Sequence, residues 1–253
     1  MYKEDFGNYI VDSNTTALQP WSKIGYNADI QATTEIIAPQ GGAYVFPTAA
    51  QHMHVKSSSD ADKGTAVAGT GIRTLTIYYL DSEYREKSET VTLNGTTAVE
   101  TSASDIFRVQ NVRATTTGSS YAAVGNISIL NHAENVTYGY IAIGNTRQRQ
   151  MVWTVPKGKN LYIKTANIYC VHIVANKRCI ITLRVTYDDK AKSLLTAGLL
   201  FMPFAEAFMD DGSLSVTYTI PKKIPEKADL KVEGISSGTA SVGISFAGYT
   251  RKI

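Results

Sequence analysis

Apolar and polar residues alternate along most of this chain. Leu75, Ile77 and Tyr79 take turns with Thr74, Thr76 and Tyr78. A period of two puts the first set on one face of a pleated strand and the second on the other, and Thr and Tyr suit such a surface. "ETVTL" then runs into Asn94-Gly95, and "TTAVET" follows. Asn-Gly accepts the positive φ angles of a type I′ turn, which predicts a hairpin with its tip there. Further strands are predicted in "IFRVQNVRAT" from Ile106, "GNISIL" from Gly125 and "TYGYIAI" from Thr137. The second half alternates in the same way, through "MVWTVP" from Met151, a Lys157-Gly158 turn, "NLYIKTANIYCV", "CIITLRVTY", "LSVTYTIP", "ADLKVEGI" and "SVGISFAGY". Short strands at intervals of about 8–12 residues predict an all-β, antiparallel sandwich of jelly-roll-like kind. No long stretch has helical periodicity with a cap, and "FAEAFM" from Phe204 reads as a single turn of helix at most.

Residues 1–45 break the pattern. They hold few alternations, one Trp and two Pro, and read as an extended N-terminal arm. Two packed β regions follow, 46–147 and 148–253, with the softest boundary at "GNTRQRQ" (144–150) and no Pro/Ser linker between them. Trp21, Ile24, Tyr26, Ile36 and Ile37 are large apolar groups on a segment predicted to have no sheet of its own. They must be buried on the body or on another subunit, so these five are the candidate subunit contacts.

Composition narrows the classes. With 253 residues, 43% hydrophobic and 19% charged, the chain is long enough to bury a substantial core. A net charge of +3, scattered along the sequence, does not fit a nucleic-acid groove. The longest apolar run, "LLTAGLLFMPF" from Leu194, contains Thr, Gly and Pro and falls short of the roughly 20 residues of a membrane span. It reads as a buried strand or core segment, and no membrane insertion is expected. Met1 leads into "YKEDFGNY" without a basic-then-apolar opening, so no export signal is expected. Cys170 and Cys179 are predicted on two strands joined by a turn near Asn176-Lys177, which carries Cys170 past the position opposite Cys179. A disulfide needs Cα atoms within about 7 Å, so free thiols are expected. The sequons at Asn14, Asn94, Asn126 and Asn135 are then chance matches in a Ser/Thr-rich chain.

Motifs for chemistry are sparse. Gly64 and Gly69 stand five apart, as P-loop glycines do, but Thr70 replaces the Lys, the preceding "SSSDADK" is polar, and an alternating strand follows where a helix should start. Asp60, Asp62 and Gly64 look like the start of a calcium loop, yet Gly71 occupies the place of its closing Glu, so Asx-type turns are the plainer reading. His52 and His54 share a strand face, but no Cys or carboxylate stands beside them at ligand spacing. His132 and His172 are isolated in sequence. The pairs Asp188-Asp189 and Asp210-Asp211 are adjacent, so on a strand their side chains would diverge. No G-x-S-x-G occurs. The sequence therefore predicts no catalytic residue, no metal ligand and no cofactor site, and the chain is not expected to be an enzyme.

Three stretches carry a family resemblance. "WSKIGYNADI…TTEIIAPQGGAYVFPTAA", then "SSSDADKGTAVAGTGIRTLTIYYLDSEYREKSETVTLNGTTAVET", then "YTIPKKIPEKADLKVEGISSGTASVGISFAGY" resemble an uncharacterised family of β-rich virion structural proteins of tailed phages and other aquatic viruses. The match is closest from Ser57 to Thr101, and "MVWTVPKGKNLYIKTA" resembles a further segment of that family. The shared motifs are turns and strands and name no active site. Tyr79 stands where the family usually has Gly, and Cys170 and Cys179 lie outside its pattern. The resemblance implies a non-enzymatic structural protein of a virus (phage) particle, such as a head decoration, vertex, neck or fibre-base subunit, made in the host cytoplasm and located in the virion. Its implied partners are copies of itself in a cyclic homo-oligomer, a trimer favoured, and other capsid or tail proteins. The alternative is a receptor-binding module that takes a host surface glycan on its exposed Tyr and Trp residues.

Overall fold

The computed structural model describes residues 18–65, 67–174, 177–186 and 201–253, and within them the alternating runs form sixteen strands and no helix. In chain order these are β1 (Leu18–Ile30), β2 (Glu35–Ile36), β3 (Met53–Ser57), β4 (Ile72–Leu80), β5 (Glu86–Thr92), β6 (Val99–Glu100), β7 (Arg108–Thr117) and β8 (Ile127–Asn131). Then come β9 (Thr137–Ile141), β10 (Val152–Thr154), β11 (Lys159–His172), β12 (Cys179–Val185), β13 (Met202–Met209), β14 (Gly212–Ile224), β15 (Asp229–Ser236) and β16 (Ala240–Lys252). Every pairing between these strands is antiparallel. The fold is all-β, as the alternation predicts. The Asp188-Asp189 pair, the sequon at Asn14 and the first residues of the apolar run from Leu194 lie outside the described residues.

The strands build two sandwiches. The first pairs a sheet of order β6-β3-β8-β9 with one of order β5-β4-β7. Its core holds Met53, Val55, Leu75, Ile77, Val112, Ile127 and Ile129. On β4 the alternation is realised as read: Leu75, Ile77 and Tyr79 point inward. Thr74 and Thr76 lie outside and join a hydroxyl ladder with Thr116, Thr90 and Thr115 at 2.7–3.0 Å. The second sandwich pairs β1-β16-β11-β14 with β10-β15-β12-β13, and β2 adds to β15. Its core holds Ile163, Ile168, Ile181, Leu183, Leu230, Val232, Val242 and Ile244.

The N-terminal segment is not a free arm from residue 18 onward. Strand β1 pairs along its length with β16, with Trp21 opposite Gly248, Ile24 opposite Ser245 and Tyr26 opposite Gly243. The reason it does not read as a strand is visible in its buried positions, which are Lys23, Gly25, Asn27 and, after a bulge, Ile30. That face meets the chain segments around Ile37 and Met151, and a side chain on Gly25 would collide with Met151 and the Ile37 carbonyl. A strand whose inner residues are Lys, Gly and Asn before a single Ile beyond a bulge shows no hydrophobic alternation.

A polar seam joins the two sandwiches. Arg108 of β7 grips Asp229 of β15 with two parallel bonds of 3.0 Å, and donates a third, 2.5 Å long, to the Pro47 carbonyl. Asp229 also accepts the Thr154 hydroxyl at 2.6 Å. The Gln110 side chain bonds both backbone groups of Thr154, and Lys23 donates to the Gln110 carbonyl at 2.5 Å. All of these side chains are buried. Buried polar groups bonded to one another in this way favour one relative placement of two units, where an apolar contact would tolerate several.

Two other expectations change. Residues around "FAEAFM" form strand β13, an edge strand with half of its residues exposed, where alternation is blurred. The Asn94-Gly95 turn exists, with Gly95 at φ +64° and the Thr97 amide donating to the Asn94 carbonyl at 3.2 Å. A positive φ at the first central position alone is the pattern of a type II′ turn. It closes only the single antiparallel bridge Asn94–Thr97, and the strands on either side do not pair with each other, because β5 pairs with β4 and β6 pairs with β3. The turn carries the chain from one sheet of the sandwich to the other. Replacing Gly95 with Val forces a β-branched residue into the left-handed region and drives its Cβ toward the Asp60 backbone, 2.8 Å away. The expected cost is about 2 kcal/mol, measured as a lowered midpoint in urea denaturation with an unchanged slope.

Candidate functional site

The Gly-rich stretch from Ser57 is a structural knot around Asp62. This carboxylate is fully buried. One oxygen accepts the Ile72 and Val124 amides at 2.8 and 3.0 Å. The other accepts the Gly125 amide at 2.8 Å and the Ser57 hydroxyl at 2.7 Å. Four donors satisfy its acceptor sites, so neither a phosphate nor a calcium ion is needed to explain it. Gly71 is required because a side chain there would strike the Asp62 carboxylate. Asp60 bonds the Thr96 amide and hydroxyl at the neighbouring turn, and those bonds hold its pKa below the usual carboxylate value.

A second cluster lies at one end of the second sandwich. Asp211 accepts from His172 Nδ1 at 2.8 Å, and His172 Nε2 meets the Ser236 hydroxyl at 3.1 Å. The order hydroxyl, imidazole, carboxylate is that of a hydrolytic triad, but Ser236 is only 2% exposed and its hydroxyl also reaches the Arg178 carbonyl at 3.2 Å. Substrate has no approach to it. Cys170 lies 3.9 and 4.0 Å from the two ring nitrogens of His172. Both ring nitrogens already have closer partners in Asp211 and Ser236, so the pair is not an activated nucleophile. Both cysteines are free and buried. Burial pushes the Cys179 thiol up to about 12 and raises Cys170 as well, the reverse of activation. They do not flank a hairpin: β11 and β12 belong to opposite sheets, and both cysteines are buried in the core between them. Of the predicted turn between them, Asn176 lies outside the described residues.

The third cluster is one the sequence does not reveal. His54 on β3 stands opposite Glu100 on β6 and Leu130 on β8, so the turn after β8 brings His132 beside them. His132 Nδ1 is 3.0 Å from Glu100 Oε1, and His54 Nε2 is 3.6 Å from the same oxygen. The other nitrogen of His54, Nδ1, bonds Glu134 Oε1 at 2.8 Å, and Lys56 holds the second oxygen of Glu134 at 2.8 Å. These bonds keep the Glu134 carboxyl below its usual pKa, the Lys56 bond foremost. The turn that carries His132 and Glu134 is stiff. The Asn131 side chain accepts the Asn135 and Val136 amides at 2.9 and 3.0 Å, and the His132 amide donates to Gln51 at 3.1 Å. His52, the alternate residue on the same strand, turns instead to the Thr101 carbonyl at 2.9 Å.

The five predicted contact residues divide. Ile36 and Ile37 are fully buried in this chain's own cores and cannot meet another subunit. Trp21 packs on Trp153, ring centroids 5.2 Å apart, and is half-buried. Ile24 remains 41% exposed on the outer face of the β1-β16-β11-β14 sheet. Tyr26 stacks on Tyr169 across that face at 6.4 Å, and the Tyr169 ring covers Gly243, where a Cβ would collide with it. A shallow groove there is lined by Tyr26, Tyr169, Arg149, Asn167, Ser213 and Ser245. A second, apolar groove opens between the edge strands β13 and β14, lined by Phe204, Ala207, Leu214, Val216 and Tyr218 and reaching Ile168 of the core. No helix among the described residues is long and apolar enough to cross a membrane.

No protein-family model matches the sequence, and no curated protein matches it. Among solved structures, the chain is similar to the VP2 subviral particle of infectious bursal disease virus, with 8% identity over 93% of this chain and 73% of that one and a TM-score of 0.22. It is also similar to the structure of the Gx strain of that virus, with 10% identity over 96% and 78% of the two chains and a TM-score of 0.23. For the Gt strain the identity is 9%, the coverages are 94% and 75%, and the TM-score is 0.19. Superpositions of this quality do not establish a common fold, and they carry no functional information.

Proposed function

We propose that this chain is a non-enzymatic structural subunit of a virus particle, of the head-decoration, vertex, neck or fibre-base kind, and that it assembles through the open edge of its second sandwich. The observation that carries this reading is strand β14. It runs for 13 residues at the end of its sheet, and only Ile224 of them is buried. Ile220 is 83% exposed and Leu214 37%, beside an apolar groove that leads into the core. Among the described residues nothing pairs with the outer side of β14. A bulge at residues 218–221 interrupts this edge and Pro221, Lys222 and Lys223 blunt its far end, but from Gly212 to Thr217 it is regular and open, the kind of edge that pairs with other chains. A protein whose role is assembly uses such an edge. The family resemblance of the sequence points the same way, and the sealed Ser236–His172–Asp211 chain argues against hydrolysis. A cyclic homo-oligomer, with a trimer favoured, satisfies one such edge per subunit against one groove on the next. Other capsid or tail proteins are the remaining partners, and the location is the virion.

Light scattering after size exclusion checks the assembly. The wild-type chain is expected to run as an oligomer, and Ile220→Lys to weaken self-association at least about tenfold without loss of fold. Labelled antibody on purified particles checks the location. A monomer at high micromolar concentration that is also absent from particles would defeat the reading.

The groove at Tyr26 and Tyr169 favours a second reading, a glycan-binding module of the virion. Two stacked aromatic rings flanked by Arg149, Asn167 and serine hydroxyls offer a sugar both a stacking face and polar partners. Glycan-array binding that Tyr169→Ala abolishes, with the oligomer intact, would favour it.

A further inference from the structure

We propose that His54, Glu100 and His132 form a site for a divalent transition ion of the zinc class, with Glu134 as its positioning residue. One donor atom from each of the three lies within 4.8 Å of the others. Zinc bonds of about 2.0–2.2 Å in tetrahedral geometry set neighbouring donors roughly 3.4 Å apart. The two pairs that share Glu100 Oε1 stand at 3.0 and 3.6 Å, on either side of that value. Two imidazoles and one carboxylate suit zinc, which takes nitrogen and oxygen donors in a small shell. They do not suit calcium or magnesium, which take oxygen donors in larger or strictly octahedral shells.

The surroundings are those of a prepared ligand set. A proton on His54 Nδ1 is directed at Glu134, so the Nε2 lone pair is left facing Glu100. A carboxylate behind a histidine fixes the ring and raises its basicity, the arrangement found behind metal-bound imidazoles. Glu134 is itself held by Lys56, and it sits at φ +57°, a backbone conformation that non-glycine residues seldom adopt. The three donors come from β3, β6 and the β8–β9 turn, so a bound ion ties together three segments distant in sequence. Glu100 and His132 are exposed, which leaves the fourth coordination position open to water.

Titration calorimetry on the full chain, stripped with a chelator and then titrated with Zn²⁺, tests this. One equivalent is expected to bind. Cobalt in its place is expected to give the visible absorption of a tetrahedral site. His132→Ala, at a side chain 67% exposed, is expected to keep the fold and weaken binding at least about 100-fold. Glu134→Gln is expected to weaken it about 10–100-fold, because it removes the carboxylate behind His54 while leaving all three donors in place. His52→Ala is expected to bind as the wild type does. Failure of the wild-type chain to bind Zn²⁺ at about 10⁻⁴ M would overturn the proposal. Binding that His132→Ala leaves unchanged would overturn it equally.

Discussion

Arg108→Ala is expected to destabilise the protein by about 3–5 kcal/mol. Arg108 is 3% exposed and its partner Asp229 is fully buried, so the pair is cut off from solvent. The guanidinium also lies over the Phe107 ring at 3.8 Å, and this contact disappears with it. Truncation leaves a buried carboxylate without the cation that compensates it. Attraction between the two charges does not by itself imply so large a net contribution, because burying both charges is costly. The large loss comes from stranding one of them. Replacing both residues together, as Arg108→Met with Asp229→Leu, is therefore expected to cost less than Arg108→Ala alone. Urea denaturation of the two variants against wild type measures the difference. A double variant at least as unstable as Arg108→Ala would show that the loss is that of the pair's own contribution and not of a stranded charge.

Lys23→Met is expected to stabilise the protein, by on the order of 2–3 kcal/mol at pH 7. Burial between the sandwiches lowers the Lys23 pKa to about 7 from 10.5. Its amine has the Gln110 carbonyl as a partner, and burial is the cause of the shift. The sign follows from proton counting. Between pH 7 and pH 10.5 the unfolded chain holds a proton on Lys23 that the folded chain has released, so stability rises with pH across this window. Below about pH 7 the folded protein carries a buried ammonium and bears the full cost. Methionine keeps the length of the side chain and removes that cost, at the loss of one hydrogen bond. The gain is expected to be largest below pH 7 and to shrink toward zero as the pH approaches 10.5. Thermal melts of wild type and variant across that range check it, because other titrating groups cancel in the difference.

Both predictions concern the seam, which is the part of the fold least legible in the sequence. Strands that bury one face on an apolar core announce themselves: β4 shows Leu75, Ile77 and Tyr79 inward and Thr74 and Thr76 outward, as its letters alone require. Strand β1 does not, because its inner face meets polar partners and carries Lys23, Gly25 and Asn27. Strand β13 fails for a different reason, since an exposed edge imposes little pattern on either face. Ile36 and Ile37 look like free contact residues until the sheet that covers them is known.

The all-β class, the positions of most strands, the turn at Gly95 and the failure of the Gly-rich stretch as a phosphate cradle are all legible in the letters. These are local properties: a period of two, a residue that tolerates positive φ, a missing lysine. Which strands pair, what Asp62 holds and where the histidines meet emerge only once the chain is folded. The donors to Asp62 include three backbone amides, a group nearly every residue has, so no letter marks them. His54, Glu100 and His132 are far apart along the chain and become neighbours only because β3 pairs with both β6 and β8. Strand pairing between distant segments is set by the packing of whole faces, and no local pattern encodes it.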